Sequence, residues 1–434
     1  MVALVKTLQV ILALSLLIIV HELGHFLWAR LFGIRVEKFY LFFDVRGKAL
    51  AKWHWGGTEF GIGIIPFGGY CKISGMIDES LDLGQMKKPP QDWEFRTKPA
   101  WQRLLVMAGG VVNNFIFAVL VYCLIAGIWG EAYISNRNAH IAPNELAQEM
   151  GFRLGDHIIS FDNYEPQDFG MLQADLARRN VRTAKLLRGA DTVLLYIDQA
   201  YIGEVLNSPV MFDLALPFIV DSMRVDGDNA SAGIEYGDRI IAFDGAPVGY
   251  IQDAREVLAG LKNLTVDATV LRGSDTLSVP VQVDSTGQIG VYLRMPEIER
   301  MKYSVAGSIP AGIKLTGKTI SGYISDLGLL VRPSTGAYKS VGSFIAIGQV
   351  FPAVWDWYRF LSILALLSVM LGIMNLLPIP ALDGGHIIIL LFEMITGRKP
   401  SDRFLVATQV IGMFLLMALM LLAFGNDIAR LFHI

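Results

Sequence analysis

One stretch, Ile18-Ile19-Val20-His21-Glu22-Leu23-Gly24-His25-Phe26-Leu27, constrains the fold more than any other, because it sets three ionisable side chains inside a continuous apolar run. From Leu4 to Trp28 the only full charges are Lys6 and Glu22. The run exceeds the ~20 apolar residues that carry a helix across a bilayer, so residues 1–30 are expected to span a membrane. Ionisable groups at that depth are costly and face a protein interior or a wet cavity, so three within five positions mark a site. On a helix, positions i and i+4 share a face, so His21 and His25 can converge on one metal ion with Glu22 beside it.

The spacing H-E-x-x-H is that of zinc-peptidase helices, in which the glutamate is the general base. The same letters arise by chance on soluble helices, and the membrane setting is what weighs against chance here. Composition agrees with that setting. At 434 residues, 53% hydrophobic, with a mean hydropathy of +0.46, the chain reads as a membrane protein with a soluble insert. A net charge of −3 and the lack of a basic run speak against nucleic acid as a partner. Cys71 and Cys123 are the only cysteines, so a disulfide framework is not expected. The first span reads as retained rather than cleaved, being long, without a small-residue cleavage pattern, and itself the carrier of the metal motif.

Residues 31–103 form a polar loop, and from Arg30 to Arg103 there are twelve Lys and Arg, which predicts a cytoplasmic location. Within the loop, 49–55 and 58–66 flank Gly56-Gly57, the pattern of a β-hairpin. Its second half, Gly61-Ile62-Gly63-Ile64-Ile65 running on toward Lys72, is apolar and glycine-rich, as a strand would be that dips toward the membrane and offers an edge to an added strand. A plain surface hairpin is the competing reading. Residues 104–130 make a second span, in which Asn113 and Asn114 need partners, either across helices or at the metal, and Gly109-Gly110 permits close packing on the first span.

From 131 to about 298 the chain repeats itself. Gly151-Phe-Arg-Leu-Gly155-Asp156 through Asn163 matches Gly233-Ile-Glu-Tyr-Gly237-Asp238 through Gly245 at an offset of 82, and Leu187-Arg188-Gly189 matches Leu271-Arg272-Gly273 at an offset of 84. Two copies of one fold, 131–212 and 213–298, are the economical reading. Their pattern resembles PDZ domains in the circularly permuted bacterial form, which implies peptide binding by strand addition; spacers are the alternative. Residues 299–353 read as an amphipathic membrane-surface segment, with candidate helices at Ile313–Thr316 and 320–330.

A third span, 354–378, ends in Asn375-Leu376-Leu377-Pro378-Ile379-Pro380-Ala381-Leu382-Asp383-Gly384-Gly385-His386. Two prolines and two glycines there break the helix within 379–403, and irregular backbone at membrane depth is tolerated where it lines a cavity. A catalytic zinc has three protein ligands and an open position. Asp383 is the choice for the third ligand, with His386 and Glu393 competing. Residues 404–434 supply a fourth span and the C-terminus. Arg398, Lys399 and Arg403 put the preceding loop on the cytoplasmic side, which leaves the repeat on the opposite face.

With H-E-x-x-H in the first span, Asn-x-x-Pro-x-Pro-x-Leu-Asp-Gly after the third and a PDZ-like pair between, the chain resembles the site-2 protease family over essentially its whole length. The fold then expected is a polytopic α-helical membrane protein of four transmembrane helices, with a membrane-reentrant β-hairpin and an inserted α+β tandem of PDZ domains. The resemblance implies Zn2+ held by His21, His25 and Asp383, with Glu22 as base. It also implies that Asn375 holds substrate backbone and that Gly61 to Lys72 forms the reentrant β-loop. The substrates implied are single-span membrane proteins, such as an anti-sigma factor already trimmed or a remnant signal peptide, in a bacterial inner membrane. One departure stands out: where relatives carry Gly-Pro-x-x-Asn, this chain reads Gly110-Val111-Val112-Asn113-Asn114. A PDZ-bearing scaffold with a structural metal is the alternative function; Glu22 argues against it, since a structural zinc needs no base and takes four protein ligands.

Overall fold

The computed structural model describes residues 2–45, 47–76, 89–208, 210–224, 227, 229–296, 298–330 and 344–432. The chain divides into two compact units, one of Met1–Gly130, Lys302–Leu327 and Lys339–Ile434, the other of Glu131–Met301 with Gly328–Tyr338.

The first unit holds four helices long and apolar enough to cross a membrane. They are α1 (Val2–Leu31), α2 (Ala100–Ile128), α4 (Trp357–Leu376) and α6 (Asp402–Phe432). α1 and α2 meet through glycine. A Cβ on Gly24 would overlap the backbone of Gly109, and one on Gly109 would sit 2.6 Å from Gly24 O. Lipid gives helices no hydrophobic reason to associate, so small residues that let backbones approach are what holds such a pair. α4 packs on α2 as well, where the buried Ser368 hydroxyl donates to Asn114 O at 2.8 Å.

Between α2 and α4 runs α3 (Val305–Leu330), where the sequence suggests two separate amphipathic helices. It is one continuous helix, and Ser308 and Gly312 lie against Gly127 and Cys123 of α2, while Thr319 Oγ1 donates to the Tyr122 hydroxyl at 3.0 Å. The small residues Ser308, Gly312 and Thr316 recur every fourth position and form the contact face. The remainder of the predicted segment, 331–343, lies outside the described residues.

A four-stranded sheet sits between α1 and α2 in the chain: β1 (Val36–Phe43), β2 (Ala51–Trp55), β3 (Thr58–Ile62) and β4 (Ile65–Ile73), in the order β2-β3-β1-β4. The predicted hairpin is present. Gly56 and Gly57 turn it at φ +58° and +81°, a two-residue turn that only glycine makes without strain. The predicted edge is not where the glycine-rich pattern put it. Gly61 and Ile62 pair with Lys52 and Ala51 on one side and with Tyr40 and Leu41 on the other. Gly63 N and Ile64 N donate to Leu41 O and Phe43 O, and Ile65 opens β4 opposite Phe43. The outer strand on this side is β4, because the chain crosses from β3 past β1 before pairing again.

The second unit contains two domains with separate cores, one around Ile158, Phe161, Leu176 and Leu186, the other around Ile240, Phe243, Leu258 and Val270. The repeat is exact in its chemistry. Arg188 Nε and Nη2 donate to Asp156 Oδ1 and Oδ2, each at 2.8 Å, and Nη2 also reaches Gly151 O. Arg272 makes the same fork to Asp238 at 2.8 Å and reaches Gly233 O. The boundary falls slightly later than 212: strand Phe212–Leu214 pairs with Ile141–Pro143 of the first copy. The segments at the two ends of the insert, Glu131–Ile134 and Ile298–Met301, pair antiparallel.

Candidate metal centre

Two elements bring the predicted ligands together. His21 and His25 lie one turn apart on α1, and Asp383 opens α5 (Asp383–Thr396), the helix that follows the proline break. The break has a steric logic. Ala381 takes φ +76°, and a Cβ on Gly385 would sit 2.6 Å from Ile379 O, while one on Gly384 would overlap Leu376 and Leu377. Only Gly-Gly lets the chain fold back on itself so tightly and deliver the aspartate at the first turn of a helix, where the peptide dipoles favour an anion.

His21 Nε2 and His25 Nε2 are 3.3 Å apart, and Asp383 Oδ2 lies 3.2 Å from the first and 3.4 Å from the second. A tetrahedral zinc with ligand bonds of ~2.0–2.1 Å separates its ligand atoms by about 3.3–3.4 Å. The three atoms therefore form one face of such a tetrahedron. Asp383 Oδ2 is buried, yet it has no aligned hydrogen bond despite both imidazoles beside it. A cation held by the three atoms would satisfy all of them, so the residues fit the group.

The far side of each imidazole is also arranged. His25 Nδ1 donates to Val106 O at 2.9 Å, which fixes the tautomer with the Nε2 lone pair free for a metal. His21 Nδ1 lies 3.0 Å from the Asn114 amide, and Asn114 Oδ1 is buried with no partner. The two ends of an amide are distinguished by their hydrogen bonds, and with Oδ1 turned to the ring, Asn114 accepts from Nδ1 and frees His21 Nε2 in the same way. Asn113 instead donates to Val20 O at 3.2 Å and ties the two spans. Gly110 abuts both rings: a Cβ there would lie 2.5 Å from His25 Nε2 and 2.7 Å from His21 Cε1.

The triangle opens onto a cavity of about 800 Å³ lined by Glu22, Tyr70, Cys71, Asn375, His386 and Gln409 among others. The backbone of Cys71 donates to the Glu22 carboxylate. Asn375 Nδ2 is 3.5 Å from His21 Nε2. Of the competing ligands, Glu393 is engaged by Arg103 and His386 lines the wall outside the triangle. Residues Gly61 to Ile65 do not line the cavity; Gly68 to Ile73 of β4 do. Gly110 and Gln409 went unrecognised in the sequence as parts of the site, although a lone amide in the fourth span was a visible signal for Gln409.

Residues 9–419 match the model of Peptidase family M50. The chain belongs to Peptidase family M50. It is similar to the regulator of sigma-E protease RseP of Escherichia coli (strain K12), 30% identical over 460 residues, covering 97% of this chain and 98% of the relative. The RseP of Salmonella typhimurium (strain 14028s / SGSC 2262) is 30% identical over 454 residues, with the same coverage. A putative zinc metalloprotease of Ralstonia nicotianae, RSc1411, is 28% identical over 464 residues, covering 97% of each chain. Membership makes the chain a zinc metalloendopeptidase, and its four apolar helices make it a membrane-embedded one.

Proposed function

We propose that the protein hydrolyses peptide bonds in the transmembrane segments of single-span membrane proteins, with His21, His25 and Asp383 as zinc ligands and Glu22 as general base. The observation that carries this reading is the 3.2–3.4 Å triangle of ligand atoms on two apolar helices. Bound zinc supplies a water acidified to a pKa of about 7 and polarises the scissile carbonyl. Glu22, oriented by the Cys71 N–H, takes the proton of the attacking water and returns it to the leaving amine.

A substrate helix hides its carbonyls in i→i−4 bonds, so it must unwind to react. The outer strand β4 offers the partner. Cys71 N–H points to Glu22 and away from β1, so by the two-residue period of a strand Gly69 turns its backbone groups outward as well. An extended substrate pairs along this edge, by strand addition, with its scissile bond near the triangle. Asn375, beside His21, holds its freed backbone. The sheet is then the membrane-reentrant element, on the cytoplasmic side of a bacterial inner membrane, and the tandem is a PDZ pair on the extracytoplasmic side that rejects untrimmed substrates by bulk. Two relatives are named for regulation of sigma-E, which supports a trimmed anti-sigma factor as one substrate class, with remnant signal peptides as another.

The test is Glu22→Gln. Zinc content is expected to stay at the wild-type level while cleavage of a model transmembrane substrate falls at least a hundred-fold. Unchanged cleavage with zinc still bound overturns the reading.

A further inference from the structure

The fourth candidate span contributes one residue to the cavity whose chemistry the reaction above does not use. Between Phe404 and Gly425 of α6, Gln409 is the only amide side chain. It is 3% exposed, and it lines the same cavity as Glu22 and Asn375. Among the described residues it makes no hydrogen bond to the protein, and neither its oxygen nor its nitrogen is among the fully buried polar atoms without a partner, so each keeps some accessible surface. Its position is fixed from one turn away. Gly412, on the same face of α6, approaches the Pro380 carbonyl so closely that a Cβ would overlap it, and this locks the Gln409 turn against the loop that carries Asp383.

A buried amide is costly to leave unmatched, and a polar residue at membrane depth calls for a partner. Among the described residues no helix supplies one here, and the cavity that Gln409 lines is the one that holds the candidate metal ligands. We propose that the Gln409 side chain binds the main chain of the extended substrate, its NH2 donating to a peptide carbonyl and its oxygen accepting from a peptide N–H. An amide is suited to this because it offers both functions to a strand without adding charge in a membrane interior. Because it contacts backbone, it adds affinity for any unwound segment rather than for one residue type. This inference rests on the proposed peptidase reading.

The test uses the full-length, zinc-loaded protein and Gln409→Met, which keeps the length of the side chain and removes the hydrogen bonds. Three quantities are measured: thermal stability without ligand, affinity for acetohydroxamate, and affinity for a peptidyl hydroxamate with several backbone amides. The expected result is unchanged or raised stability, unchanged acetohydroxamate binding, and peptidyl hydroxamate binding weakened roughly ten-fold, with the same loss appearing in KM rather than kcat for a peptide substrate. A drop in stability with peptidyl hydroxamate binding unchanged overturns the inference and makes Gln409 a packing residue. Equal loss of both hydroxamates overturns it too, because the damage then lies at the metal. Wild-type protein that binds neither hydroxamate overturns the peptidase reading itself, which separates the two failures.

Discussion

Asp383 was one of three side chains that a zinc site could have recruited, and geometry separates them. The aspartate closes a triangle with His21 and His25, Glu393 is engaged by Arg103, and His386 sits one turn further along α5. Asp383→Ala is therefore expected to lose zinc, measured by metal analysis after dialysis, whereas His386→Ala keeps it; the reverse pattern shifts the ligand to His386. Gly110 gives a prediction without any polar atom. A methyl group there meets both imidazoles at 2.5–2.7 Å, and a ring displaced by a few tenths of an ångström leaves its metal geometry. Gly110→Ala should weaken zinc binding by at least ten-fold in a chelator competition, comparable to the loss of a hydrogen bond behind a ligand. The His-Glu-His spacing was legible because i and i+4 share a face in any helix. The contact of Gly110 with that face was not, because it depends on which residue of α2 happens to lie opposite.

At the scale of elements, local patterns survived where the partner was local. The Gly-Gly hairpin formed because its turn and both strands are neighbours in sequence. The open edge beside the cavity falls on β4 rather than β3 because strand order is a long-range property: β3 is covered on both sides, β2 and β4 are the outer strands, and β4 is the one that lines the cavity. The segments Ile313–Thr316 and 320–330, which the sequence suggests as two helices, belong to the single helix Val305–Leu330, whose Ser308 and Gly312 lie against α2. In the insert, the duplicated aspartate–arginine forks pin the turn before one strand to the end of the next. The Arg272 guanidinium beside Asp238 holds its carboxyl below the usual carboxylate range. The sign follows: a lowered folded pKa adds stability above the unfolded value of about 4, and that stability is lost as pH falls through the lower folded value. Asp238→Asn is expected to destabilise the second copy by about 2 kcal/mol at neutral pH, since Arg272 is one-third exposed and regains water. Hydrogen exchange of the 239–243 and 265–272 amides would show it, with wild type and variant converging as pH falls through the lowered folded value.

For the molecule as a whole, the chain carries its candidate metal centre and its repeat in separate compact units, and the antiparallel pair Glu131–Ile134 with Ile298–Met301 brings the two ends of the insert together. Excising 135–297 and joining the paired ends should leave zinc content unchanged and, under the proposed filter role, allow cleavage of a substrate that retains a bulky domain outside the membrane, which wild type is expected to spare. Equal discrimination by the excised protein would remove the filter role. The sequence alone determined the parts: four apolar runs, a helix with metal-ligand spacing, a broken one and a duplicated domain, all of which are written in period, composition and repetition. Tertiary structure alone decided which of the late carboxylates and imidazoles reaches the early histidines, which strand is left open and which glycines and amides face the cavity. Those depend on how segments hundreds of residues apart approach, and in a membrane that approach is set by the fit of small residues, which hydropathy does not record.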